Sequence, residues 1–318
     1  MTSENILLFR GEKFNPNFYY FSGLDISNSF FLVKGGQKKL LVSHLEEKGA
    51  RKHMKKDIVV LDDFYPYLKK ELKGRKVKID GTKLPARIYE RLRKFCKPED
   101  ASTEFFKKRM VKRKDELEKI KKAVKITKKI LASLELSKKM TENQVKKQIL
   151  MKTLEAGVEP AFEPIVAGGF NTAIPHHSCT NKKIGNYILI DYGVKVNNYC
   201  ADLTRCFTIG KAENELKLYE EVQDIFHKIV DSIPEMKTGG EIGKLYEKLV
   251  KSKDFPKPIH AIGHGLGIDV HEFPRLGSKY TDNIMGTVFA IEPGIYLNKY
   301  GARHEEDVYY DGKKVRIL

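Results

Sequence analysis

The sequence predicts a mixed α/β (α+β) chain of two domains, and three observations carry that reading. Its 318 residues exceed the ~150 typical of one domain. The first hundred residues alternate short apolar runs with helical stretches. After Glu159 strand-like runs and helices continue, and reactive residues now sit at strand ends and turns, where chemistry is commonly held. At 41% hydrophobic and 32% charged, the chain can bury a sizeable core, which excludes disorder. No stretch approaches the ~20 uncharged apolar residues of a membrane span. The opening MTSENILLFRGEK has no basic-then-apolar export pattern. Cys96, Cys179, Cys200 and Cys206 are too few and scattered for a disulfide framework. A reduced, cytoplasmic compartment is expected.

Residues 1–104 are expected to form the first, smaller domain. Ile6–Phe9, Phe30–Val33, Leu40–Val42 and Ile58–Leu61 read as strands, and 45–54, 64–73 and 86–96 as helices, the pattern of an α/β unit. No reactive side chains cluster there, which points to folding and assembly. The second domain, 105–318, begins just after Lys97-Pro98. Glu104 to about Leu136 reads as one long charged helix, with Leu117, Ile120, Val124, Leu131 and Leu134 at helical spacing. Thr141 and Gln144 form a capping box for the next helix, which stops near Gly157 before Pro160. Strands are expected at Ala161–Gly168, Tyr187–Asp191, Thr287–Ile291 and Asp307–Tyr310, with helices near 213–232 and 240–252.

The net charge of +17, from 59 Lys+Arg against 42 Asp+Glu, invites a nucleic-acid reading. Its distribution argues otherwise. Residues 1–159 carry 39 basic and 21 acidic residues, a net of +18, whereas residues 160–318 carry 20 and 21, a net of −1. Of the basic residues, 47 are Lys and 12 are Arg. Lys is the solvating cation and Arg the preferred phosphate fork, so the excess reads as a solvated face. Neither nucleic acid nor membrane is expected as a partner.

Three segments of the second half carry the chemistry. In ILIDYGVKVNNYCADLTRCF, residues 188–207, Asn197-Asn198 between alternating runs reads as a tight hairpin turn. Position 196 then pairs with 199 and 193 with 202, which makes Asp191 and Asp202 diagonal neighbours ~7–8 Å apart. Two carboxylates so placed among apolar residues repel unless a cation lies between them; the alternative is two solvated acids. In HAIGHGLGIDVHEFPR, residues 260–275, glycines flank His264 and let the backbone approach a bound group, with His271 close behind. No nucleotide motif is completed there. In AIEPGIYLNKYGARHEEDVYY, residues 290–310, Glu292 ends an apolar strand, and the chain returns with Arg303 and Glu305. Glu306 and Asp307 read as an ordinary acidic surface run. Four carboxylates (Asp191, Asp202, Glu292, Glu305) with one imidazole (His264) suit Mn, Co, Fe or Zn in an oxygen-rich site. They exceed the needs of one ion and fit two ions ~3.5–4 Å apart bridged by carboxylates and hydroxide.

The order Asp-x10-Asp, His-x-x-Gly-His-Gly-x-Gly, Glu-Pro-Gly-Ile-Tyr and Arg-x-Glu resembles the pita-bread dinuclear metallopeptidases, closest to their Xaa-Pro branch of prolidase and aminopeptidase P. The resemblance is close over 105–318. Residues 1–104, with NFYYFSGLD at 17–25, resemble the smaller creatinase-like N-terminal domain of that branch. It implies five metal ligands: Asp202 and Glu305 bridging both ions, Asp191 completing one, and His264 with Glu292 completing the other. It implies Glu292, His271 and His176 in catalysis. His176 and His271 would also contact substrate, together with Arg275 as the clamp on a dipeptide carboxylate and Arg303 as a supporting arginine. His177 leaves open which histidine of IPHHS faces substrate. Ala261, Ala302, His304 and Glu306 depart from the common pattern without removing a ligand. The implied activity is hydrolysis of Xaa-Pro dipeptides by a metal-bridging hydroxide, in a homodimer. The alternatives are an Xaa-Pro aminopeptidase on longer peptides, or a binding module of the same fold without catalysis.

Overall fold

The computed structural model describes residues 4–318. The chain divides into two compact units, the first closing at Arg109 and the second running Met110–Leu318. In the first, Ile6–Arg10, Ser29–Lys34 and Gln37–Val42 form an antiparallel meander. Ile58–Val60 adds parallel on one side, and Lys76–Ile79 then Lys97–Asp100 add parallel on the other. Parallel neighbours need crossovers, and the helices His44–His53, Phe64–Leu72 and Ala86–Arg93 supply them. Both faces of the sheet are buried. Leu8, Phe31 and Leu40 pack on one side with Ala50 and Phe105. Leu7, Leu32 and Leu41 pack on the other with Leu68 and Leu92.

The second unit is built from antiparallel sheets and four long helices, Lys114–Ala132, Glu142–Glu155, Glu213–Ser232 and Gly239–Ser252. Tyr187–Tyr192 lies between Ile165–Gly168 and Leu203–Thr208. A five-stranded sheet runs in the order Glu272–Leu276, Gly263–Gly265, Thr287–Ile291, Glu306–Tyr310, Val315–Ile317. Val222, Phe226, Ile242 and Tyr246 of the last two helices share one core with Leu276, Phe289 and Ile291 of that sheet. No helix among the described residues is long and apolar enough to cross a membrane.

The hairpin register agrees with the sequence reading. Val196 pairs with Tyr199 and Tyr192 with Leu203, while Asn197 and Asn198 take φ of 48° and 65°, the left-handed pair a type I′ turn requires. Thr127, which interrupts the apolar stripe of its helix, accepts the Val194 N–H at 3.1 Å and so ties that helix to the hairpin.

Two expected elements are corrected. The single helix over Glu104–Leu136 is two, Ser102–Met110 and Lys114–Ala132. The break arises because the Lys112 N–H donates to the Gly286 carbonyl and Val111 bridges Thr287, while the Glu116 carboxylate accepts the Arg113 N–H and starts a new helix. The strand over Ala161–Gly168 is only Ile165–Gly168, preceded by a two-residue piece at Glu159–Pro160. Pro160 and Pro164 have no N–H to give a ladder.

Gly193 sits where the hairpin strands approach closely. A Cβ there would lie 1.7 Å from the Ala201 carbonyl oxygen. Gly193→Ala is expected to lower the unfolding free energy by about 3 kcal/mol or more, read by denaturant unfolding. An unchanged midpoint would show that the hairpin closes without that contact.

Candidate metal centre

The sheet registers determine where the acids go. Asp191 lies on Tyr187–Tyr192 opposite Thr204, and Asp202 stands just before Leu203 on the return strand. His264 is the middle residue of the short strand Gly263–Gly265, which pairs with Thr287–Ile291. Glu292 follows that strand at once. Ile291 pairs with Glu306, and three residues further on Gly294 pairs with Arg303. Glu292 and Glu305 therefore fall in the gap between two ladders of common register, where the strands part. Their backbone N–H groups donate instead to Ile262 and Thr204.

These five residues converge on one cavity of about 400 Å³, which His176, His271 and Arg303 also line. One ligand atom each from Asp202, His264 and Glu305 lie within 4.8 Å of one another. His264 Nε2 is 3.6 Å from Asp202 Oδ2 and 3.9 Å from Glu292 Oε1. Its Nδ1 is 3.1 Å from the Gly265 carbonyl, which places the proton on Nδ1 and the lone pair of Nε2 toward the acids. The His264 and His271 ring centroids are 4.2 Å apart.

Among the described residues, Arg303 is the only one lining the cavity with a fixed positive charge. It is 2% exposed and already committed. It donates to Asp191 Oδ2 at 2.6 Å, to the Thr204 hydroxyl at 3.0 Å and to the Tyr296 hydroxyl at 2.8 Å. Thr204 in turn donates to Glu305 Oε2 at 2.6 Å. Asp191 Oδ1 and Asp202 Oδ1 are buried and have no hydrogen-bond partner among the described residues.

The electrostatics follow from that imbalance. Burial, then the charges of Glu305 and Asp191, push the Asp202 carboxyl well above the usual range. Burial, then Glu292 and Asp191, do the same to Glu305. Burial pushes Glu292 up to about 8 against the pull of Arg303. Burial and the neighbouring His271 press His264 down to about 3. A neutral imidazole lone pair aimed at carboxylates, beside orphaned carboxylate oxygens, is a donor set made for divalent cations. The residues present therefore fit the metal site that the sequence suggested.

Of the nine residues singled out from the sequence, eight line this cavity and Arg275 does not. Arg275 is the cross-strand partner of His264, yet its guanidinium is bound to Asp282 at 2.8 and 3.3 Å. It stacks between Phe273 and Tyr280, 4.7 and 4.5 Å from their ring centroids. The carboxylate clamp expected of Arg275 is thus not formed in this arrangement. His176 faces the cavity, whereas His177 turns its Nε2 to Glu142 at 2.8 Å.

Glu306 and Asp307, expected as surface acids, are both buried. Glu306 pairs with Arg205 and with Lys128, and Asp307 Oδ2 accepts the Asp202 N–H at 3.0 Å. Their partners lie about a hundred or more residues away in sequence, so an acidic run looks like surface until the chain folds. His304 is a core residue, bonded to the Tyr219 hydroxyl and packed on Phe226. One titratable residue of the cavity lining was given no role from the sequence. His260 bonds to the Tyr296 hydroxyl at 3.0 Å and stands 3.8 Å from Glu292. Its place four residues before His264, in the same glycine-rich segment, was the available signal.

The raised carboxylates make a statement about pH. Glu292 moves from 4.5 to about 8, so the folded metal-free protein keeps a proton that the unfolded chain has released. Stability from this group is present below 4.5 and is lost as pH rises through about 8. His264 and His260, lowered from 6.5 to about 3 and about 4, act oppositely and only below 6.5. The thermal midpoint of the metal-free protein should therefore fall between pH ~6.5 and ~8.5. A flat or rising midpoint over that interval would contradict the assignment.

Comparison with known proteins places these features in a wider setting. Residues 118–311 match the model of metallopeptidase family M24, and residues 5–111 that of the creatinase/prolidase N-terminal domain. The chain is 32% identical to an Xaa-Pro dipeptidase of Pyrococcus furiosus over 92% of its length and 87% of the relative's. Among solved structures, the prolidase from Pyrococcus horikoshii OT3 superposes with a TM-score of 0.90 at 26% identity, covering 99% of this chain and 93% of that one. The X-Pro aminopeptidase from Thermotoga maritima MSB8 gives 0.88, also at 26% identity, covering 100% and 95%. The mixed α/β architecture, an N-terminal creatinase-like domain before a pita-bread domain, is common to them.

Proposed function

The chain belongs to metallopeptidase family M24, and we propose that it hydrolyses Xaa-Pro dipeptides with two bound divalent ions. One observation carries the reading: four carboxylates and the lone pair of a neutral imidazole face one cavity that holds a single fixed cation. Four acids less one arginine leave about three negative charges uncompensated, more than one divalent ion neutralises. Asp202 and Glu305 would hold both ions, Asp191 would complete one, and His264 with Glu292 the other. Such ions supply Lewis acidity toward a carbonyl and bring the pKa of water near neutrality. Which of Mn, Co, Fe or Zn serves is left to the experiment below.

The chain's own groups then account for proton movement. Glu292, which faces the cavity beside His264 and gives up its own proton when the ions bind, takes a proton from the attacking water and passes it to the departing proline nitrogen. His271, with burial lowering its pKa, is a neutral donor, and with His176 it stabilises the developing oxyanion. Arg303 keeps Asp191 oriented through the 2.6 Å pair. Phe162, Ile165 and Val270 complete an apolar wall on which the proline ring can rest.

A second reading, an Xaa-Pro aminopeptidase acting on longer peptides, gains support from Arg275. With that guanidinium tied to Asp282, the clamp that would restrict substrates to dipeptides is not formed. A homodimer in the cytoplasm completes the proposal; all four cysteines are free thiols, as a reduced compartment requires.

Stripping metal with a chelator should abolish cleavage of Met-Pro, and adding Mn, Co, Fe and Zn back separately should restore it with at least one ion. Asp202→Asn and Glu305→Gln are each expected to lose bound metal and at least about 10³-fold in kcat/KM. Cleavage of Met-Pro but not Met-Pro-Ala supports the dipeptidase, and cleavage of both supports the second reading. Full activity without metal would overturn the proposal.

A further inference from the structure

Glu142 is the first residue of the helix Glu142–Glu155, and it is fully buried. A carboxylate in a first helical turn ordinarily serves the helix's own N–H groups from the solvent side. This one faces away from its helix. Its Oε1 accepts the Gly168 N–H at 2.9 Å and the Asn171 side-chain amide at 2.8 Å. Its Oε2 accepts His177 Nε2 at 2.8 Å, the Thr180 N–H at 2.8 Å and the Thr180 hydroxyl at 2.6 Å. Five donors from one stretch of thirteen residues, 168–180, thus end on one carboxylate.

That stretch has little structure of its own. After Ile165–Gly168 it makes one short 3-10 turn, Gly169–Ala173, and then runs without regular structure through the two histidines. It carries His176 into the cavity. The residue after His176 is held by Glu142, and the carbonyl of Pro175 before it accepts from Arg303 at 3.4 Å. Burial alone would raise the Glu142 carboxyl, yet the hydrogen bonds from Asn171, Thr180, His177 and Gly168 hold it below the usual range, so it stays an acceptor with no proton to intrude.

We propose that Glu142 is a positioning residue for the reaction: by gathering Gly168, Asn171, His177 and Thr180 onto one buried carboxylate, it fixes the segment that presents His176 to the substrate. Glu142 touches neither substrate nor metal ligands and acts through His176. The inference rests on the proposed substrate role of His176, and the test separates the two.

The measurement is a double-mutant cycle on the metal-loaded enzyme with Met-Pro as substrate, combining Glu142→Gln with His176→Ala. Glu142→Gln should bind metal as the parent does, while kcat/KM falls at least about 10-fold. In the His176→Ala background the same change should cost less than about 2-fold, because coupled residues are non-additive. A merely structural residue would give equal losses in both backgrounds, and that result would overturn the inference. Should Glu142→Gln not fold, His177 supplies the second arm: His177→Leu removes one donor and should lower kcat/KM, and His177→Gln, which keeps an N–H for Glu142, should recover most of the loss. Equal losses in both His177 variants would overturn the inference. A crippled His176→Ala beside an unaffected Glu142→Gln overturns the inference alone. A His176→Ala protein with parental kinetics overturns the role of His176 and the inference with it.

Discussion

Four carboxylates enclosed in one cavity with a single committed arginine govern much of what surrounds them. Burying acids together raises the cost of ionising them. Asp202 and Glu305 feel this most, since each is buried and faces the charges of the others. The fold holds them together because the ladders leave no choice. Asp191 and Asp202 follow from a hairpin closed by Asn197-Asn198, and Glu292 and Glu305 from the gap between two ladders of one register. Relief must come from outside the chain, as protons or as cations.

The neighbours of the cluster are arranged so that the acids stay aimed while that demand stands. Arg303 joins Asp191 to Tyr296, and Tyr296 to His260. Thr204 links Arg303 to Glu305. From behind, Arg205 donates to the Glu305 carbonyl at 2.7 Å and pairs with Glu306, and Asp307 accepts the Asp202 N–H. These contacts occupy one oxygen of Asp191 and one of Glu305. Asp191 Oδ1 and Asp202 Oδ1 are left over. Positioning of this kind, with oxygens of the cluster spared, is what a preorganised metal site needs.

The parts of the site set by local pattern were legible in the sequence. The Asn-Asn turn gave the register that brings Asp191 near Asp202, and the glycines around His264 marked a close backbone approach. What could not be read depends on partners far along the chain. The buried state of Asp307 is decided by the backbone N–H of Asp202, that of Glu306 by Arg205, and the role of Glu142 by donors at 168–180. The break between Met110 and Lys114 likewise depends on Gly286 and Thr287. Arg275 is the reverse case, since its motif position agrees with the resemblance while Asp282 and two aromatic rings hold its guanidinium elsewhere. Pro160 and Pro164 were visible signs of a shorter strand.

The charge asymmetry also finds its place. The second half of the chain is nearly neutral overall, 20 basic against 21 acidic residues over 160–318, yet it concentrates acids at one point inside. That local excess, rather than the net charge of +17, bears on function. The most direct measurement is proton release when manganese is titrated into metal-free protein near pH 7, by calorimetry in buffers of different ionisation enthalpy. Carboxyls raised by burial and by one another must give up their protons to bind a cation, so net release of at least about one proton per chain is expected. Binding without proton release, or no binding, would contradict it.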